Sequence, residues 1–158
     1  MPFARPWSLT RTRTRTRTLA FSLGSFVQEP IAWMKMEELG LIEYFDRPLF
    51  GGFGNLFCSG ELDVNESYKD RAELIDIAAR RAAEGVGATG IESFRRIHVG
   101  DAPHDVDAAV RAGVIALGTL TGIFTEDDLR RRCGPDHPAV VVLPNLEDTA
   151  GVLRAMRL

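Results

Sequence analysis

From Arg96 to Leu117 the chain reads RIHVGDAPHDVDAAVRAGVIAL, and no other stretch restricts the fold as much. Ile97, His98 and Val99 form a short strand-like run that stops at Gly100-Asp101. Pro103 then opens a helix, where its missing N–H is no loss and its fixed φ is already helical. Val106, Ala109 and Val110 recur on one face at the three-to-four spacing of a buried stripe. Gly113 supplies a left-handed C-cap, and Val114 to Leu117 follow at once as a second strand. A strand, turn, helix and strand in such close order build a parallel sheet. Sheets of this kind bind ligands at the carboxyl ends of their strands, which is where Asp101 and Asp105 stand.

Two carboxylates at that edge suit a hard cation. Mg²⁺ takes one or two of them, keeps several waters and completes its shell with substrate phosphate. The helix N-terminus beside them also attracts anionic oxygen. An acidic residue in a first helical turn stabilises the helix dipole without any metal, so both readings stand for Asp105. Asp101, held between Gly100 and the turn, fits a ligand role better than a cap.

The wording GDAPHDVDAAVRAGV resembles the fourth motif of the haloacid dehalogenase-like (HAD) hydrolases, specifically their phosphatase-like members. The resemblance extends over residues 19–158. It implies a Mg²⁺ site at Asp101 and Asp105, a small phosphorylated molecule as substrate, and a three-layer, Rossmann-like parallel α/β sheet.

Length and charge set the outer bounds. A chain of 158 residues has room for one domain with a sizeable core. Its 45% hydrophobic and 26% charged residues are ordinary for a globular protein, and no apolar run reaches the length of a membrane span. Residues 1–28 hold five arginines and no acid, which leaves the remainder at 14 basic against 22 acidic residues. A body so acidic is not a nucleic-acid binder. Cys58 and Cys133 lack metal-ligand spacing and read as reduced thiols. His98, His104 and His137 form no ligand cluster; His104, inside the motif, is either a substrate contact or a solvent-facing helix residue.

Residues 1–18 repeat Arg-Thr four times, with neither an apolar strand face nor an amphipathic helix. They read as a disordered, low-complexity segment ahead of a core at 19–158. That reading goes with a cytoplasmic protein, and the alternative is an organelle-targeting leader within residues 1–28. A third reading, an Arg-rich segment that binds phosphates or anionic surfaces, also stands.

Leu19 to Leu23 reads as a strand closed by Gly24-Ser25, and Pro30 to Leu39 as a helix with Ile31, Met34 and Trp33 inward and Gly40 as its cap. Phe50 to Gly54 reads as a flexible connection beside a short strand. A long helix is expected from Glu66 to Glu84 with Leu74, Ile75, Ala78 and Ala82 inward. Thr125 and Asp128 form a capping box before a helix through Arg132, Ala139 to Leu143 is a buried strand, and Asn145 caps a closing helix with Leu146, Ala150, Leu153 and Met156 toward the sheet. The resemblance assigns Ser25 to the second motif, as the hydroxyl that meets the phosphoryl group. It assigns Lys69, with Arg71 as the alternative, to the basic third motif.

The family's first motif, Asp-x-Asp after an apolar strand near the N-terminus, has no counterpart here. Asp63-Val64-Asn65 is the nearest pattern and lies in the wrong order. The first strand and the cap domain are therefore expected to be missing from this sequence, leaving a shortened core that is inactive alone because positioning groups do not replace a nucleophile. The alternative is a non-catalytic Mg²⁺- or phosphate-binding module completed by a strand-donating partner chain or by homo-oligomerisation.

Overall fold

The computed structural model describes residues 22–45, 47–56 and 58–156. The Arg-Thr segment at 1–18 lies outside them, as does the leader reading of 1–28 up to residue 21. The elements alternate as the sequence suggests: β1 (Leu23–Ser25), α1 (Glu29–Glu38), β2 (Gly51–Phe53), α2 (Tyr68–Gly85), β3 (Ile97–Gly100), α3 (Pro103–Arg111), β4 (Ile115–Thr119), α4 (Glu126–Arg130), β5 (Val140–Leu143) and α5 (Thr149–Ala155). All strand pairs are parallel, and they fall into two ladders, β1–β2 and β3–β4–β5. No backbone hydrogen bond joins β1 to β3 among the described residues. The α/β class and parallel pairing agree with the expectation.

Strand geometry fixes which helix covers which face, because alternate residues point to opposite sides. On β2, Gly52 meets α2 so closely that a Cβ there would lie 2.0 Å from the Leu74 carbonyl oxygen. Phe53 points the other way and packs edge-on against Trp33 of α1, with ring centroids 5.4 Å apart. The first ladder is thus sandwiched between α1 and α2. On β4 a Cβ at Gly118 would touch Leu129, Val142 and Val106, so α3 and α4 share one face of the second ladder. Val106, Ala109, Val114, Ala116, Leu129 and Val140 make the core there.

Several boundaries and faces differ from the sequence reading. The first strand is Leu23–Ser25, so Gly24-Ser25 belong to it rather than end it, and Leu19 to Phe21 lie outside the described residues. Phe50 to Gly54 holds strand β2 itself, fully buried, because glycine lets α2 approach the backbone. In α1 the inward residues are Ala32 and Trp33, whereas Ile31 and Met34 are exposed at 43% and 61%. In α2 it is Ala83, not Ala82, that is buried. Asn145 accepts from the Glu147 amide in a tight turn and does not cap α5, whose first helical residue is Thr149; Leu146, Ala150 and Leu153 are exposed. The α3 helix, its Gly113 cap at φ 66°, and the Thr125–Asp128 capping box form where the sequence placed them. No helix among the described residues is long and apolar enough to cross a membrane.

Candidate functional site

The carboxyl ends of β1 and β3 meet the first turns of α2 and α3, and Ser25, Arg71 and Asp105 converge there. Ser25 closes β1, and its Oγ accepts the Val27 amide at 3.2 Å, which fixes the turn that follows. Arg71 rises from α2 in line with Leu74, Ile75 and Ala78, the inward stripe of that helix. Its Nη1 donates to Asp105 Oδ1 at 2.6 Å, and its guanidinium lies 4.5 Å over the Phe26 ring. Stacking of this kind holds the planar cation without consuming its remaining donors. The Arg71 Nε is buried and has no acceptor.

Asp105 is fixed from both sides. Its second oxygen accepts the Ala102 amide at 3.3 Å, half of a box at the start of α3, while the first meets Arg71. The backbone at 100 must be bare for this, since a Cβ on Gly100 would sit 2.4 Å from that of Asp105. Asp101, one residue past β3, is exposed and makes no ion pair or side-chain hydrogen bond among the described residues. It faces the loop after β4, where a Cβ on Gly122 would lie 2.8 Å from Asp101 Oδ2.

Between the two ladders a cavity of about 30 Å³ remains, lined by Gly24, Ser25, Phe26, Arg71, Leu74, Ile75, His98 and Asp105. Burial holds the His98 imidazole below its ordinary range; Asp105 opposes that shift and Arg71 reinforces it.

The other sequence candidates lie elsewhere. Lys69 is on a different side of α2, with Nζ 2.9 Å from Glu61 and 3.1 Å from Glu66, and the hydrogen bond to Glu61 raises its pKa further. Two residues along a helix amount to about 200° of rotation, so Lys69 and Arg71 cannot serve one site. The structure brings Arg71, and not Lys69, to Ser25 and Asp105. His104 has a buried Nδ1 without a partner and does not line the cavity. Asp63 caps the 3₁₀ turn Val64–Glu66 by accepting the Asn65 amide.

Asp105-Val106-Asp107 is an Asp-x-Asp string, yet it lies inside α3 rather than after a strand. The Asp107 side chain is 5% exposed and points to Arg132 Nε at 3.3 Å; burial raises its pKa and Arg132 opposes the rise. Phe26, His98 and Gly100 were not foreseen as site residues. The period-two alternation of β3 pairs His98 with Gly100 on the α3 side, and that signal was present in the sequence.

Among the described residues no three His, Cys, Asp or Glu side chains converge as a metal cage. Asp101 is an uncommitted carboxylate of the kind Mg²⁺ takes, whereas both Asp105 oxygens are engaged by Arg71 and the Ala102 amide. The HAD-hydrolase-like family model matches residues 69–149, just over half of the chain, from the start of α2 to the start of α5. The chain belongs to the HAD-like hydrolases. No curated protein matches it.

Proposed function

We propose that this chain forms the phosphate- and Mg²⁺-binding part of a phosphomonoester hydrolase acting on a small phosphorylated molecule. The observation that carries the reading is the convergence of Ser25, Arg71 and Asp105 around one cavity, with Asp101, unbonded among the described residues, directly after β3. Asp101 and Asp105 would hold Mg²⁺, and that ion, when bound, neutralises charge on a phosphoryl group. Arg71 presents a fixed cationic fork with an unused Nε–H, a geometry suited to phosphate oxygens. The Ser25 hydroxyl stands beside it as a second donor, and Phe26 keeps the guanidinium from turning to solvent.

The described residues place no second carboxylate on a neighbouring strand to attack phosphorus, and Asp107 is turned away into its pairing with Arg132. The expected behaviour of the chain alone is binding without turnover. Calorimetric titration with MgCl₂ and inorganic phosphate tests this: affinity for phosphate in the presence of Mg²⁺ should disappear in Asp101→Asn and in Arg71→Ala. Absence of phosphate binding to wild type overturns the reading. Hydrolysis of p-nitrophenyl phosphate that is lost in Asp101→Asn overturns its non-catalytic part.

A further inference from the structure

Helix α2 begins at Tyr68 without the usual brace, because the Ser67 side chain makes no cap bond. Its first turn is gripped from outside instead, by Arg132 in the turn after α4. The backbone of Arg132 is fixed on both sides. Leu129, fully buried, and Cys133 pack into the core of the second ladder. Gly134, at φ 85°, closes the turn with its amide on the Arg130 carbonyl at 2.9 Å. From there the guanidinium meets three elements. Nη2 donates to the Asn65 carbonyl at 2.7 Å and Nη1 to Glu66 Oε1 at 3.0 Å, in the 3₁₀ turn that leads into α2. The cation also lies 4.9 Å over the ring of Tyr68. Its Nε stands 3.3 Å from Asp107 Oδ2 on α3, a carboxylate side chain only 5% exposed. A planar fork of five donors can span these partners, whereas a lysine ammonium is a single point of charge.

Helix α3 is thereby held from two sides. Asp105 and Asp107 are two residues apart, about 200° around the helix, so one meets Arg71 and the other Arg132. Arg71 in turn stands one position short of a full turn beyond Tyr68 on α2. A helix shifts as a unit, so a displaced first turn carries Arg71 out of the narrow range over which it can bond Asp105. We infer that Arg132 is a positioning residue: by tying the start of α2 to α3, it sets the register in which Arg71 meets Asp105. It does not line the cavity itself. A cation that served only to neutralise Asp107 would have no use for the bonds to Asn65 and Glu66 or for the ring of Tyr68. The consequence for phosphate binding rests on the function proposed above; the geometric role does not.

The test follows the buried Arg71 Nε–H by NMR in the full chain, its signal assigned by loss in Arg71→Lys. The deciding variant is Arg132→Met combined with Asp107→Asn, which removes the clamp without leaving a buried charge unpaired. Exchange of the Arg71 Nε–H with water should rise at least ~tenfold, while the β4 amides keep wild-type protection. Unchanged Arg71 exchange overturns the inference, and so does equal acceleration in β4, which marks general destabilisation. Should the double variant fail to fold, Arg132→Lys decides by the same readout, since it keeps a charge beside Asp107 and loses the fork. In the folded variant, affinity for inorganic phosphate with Mg²⁺ should fall in parallel. If wild type binds no phosphate, the proposed function fails, and the exchange result still decides the role of Arg132.

Discussion

The β3–β4–β5 half and the β1–β2 half of this molecule are held together by different means. In the former, side chains interdigitate: Val106, Ala109, Leu129 and Val140 fill a core between one sheet face and two helices. In the latter, beside the aromatic contact of Trp33 and Phe53, glycines bring backbone against backbone. Gly51 and Gly52 let β2 lie against its neighbours, Gly54 passes the Phe26 backbone, and the Arg81 guanidinium ties Glu29 to the Gly51 carbonyl. A truncation in a packed core leaves a cavity, whereas a Cβ added at a backbone-to-backbone contact forces the two backbones apart. The family model matches the first half together with α2 and begins after β2.

Truncating the core should be the most damaging change. Leu129→Ala, at a fully buried position, is expected to cost about 2–5 kcal/mol in denaturant unfolding and to lower protection of β4 and β5 amides together. Were protection lost only near α4, the β3–β4–β5 half would not be one cooperative unit. Gly52→Ala comes next, at about 1–3 kcal/mol, because its Cβ would strike the Leu74 carbonyl. Here exchange should rise in β1 and β2 while β4 stays protected; equal loss in both halves would erase the distinction drawn between them. Thr125→Ala removes the hydroxyl that accepts the Asp128 amide and should cost ~1 kcal/mol, measurable as a lowered urea midpoint.

The smallest effect is electrostatic. Hydrogen bonds from Arg132, Lys69 and Tyr68 lower the Glu66 carboxyl from an ordinary 4.5 to about 2. A folded-state pKa below the unfolded one gives stability that is present above the ordinary value and lost as pH falls from about 4.5 toward 2. Urea midpoints of wild type and Glu66→Gln should therefore converge on acidification through that window. A constant difference would assign the effect to another carboxylate.

The same contrast decides what was legible in the sequence. Around Asp101 the residue types determine their own geometry: Pro103 starts α3, Gly113 ends it, and the apolar spacing selects its buried face. Strand β2 was hidden because its defining residues are glycines, which announce flexibility by composition and close packing only by context. The resemblance points to Lys69 at the third motif, whereas the stripe Arg71, Leu74, Ile75, Ala78 puts the arginine on the inward face. In α1 the large residues Ile31 and Met34 outweighed Ala32 in the reading, yet the close approach of the helix admits only the small one. The Ser25–Arg71–Asp105 meeting joins three elements far apart in sequence, and no local pattern encodes it.

Gly100 and Asp105 illustrate what that meeting asks of heredity. The carboxylate reaches both the Ala102 amide and Arg71 only across the place where a side chain at 100 would stand. The two positions are therefore one character and not two: a lineage can drift at 100 only after giving up the acid at 105. Asp101 bonds to none of the described residues, so the helix does not depend on the aspartate there.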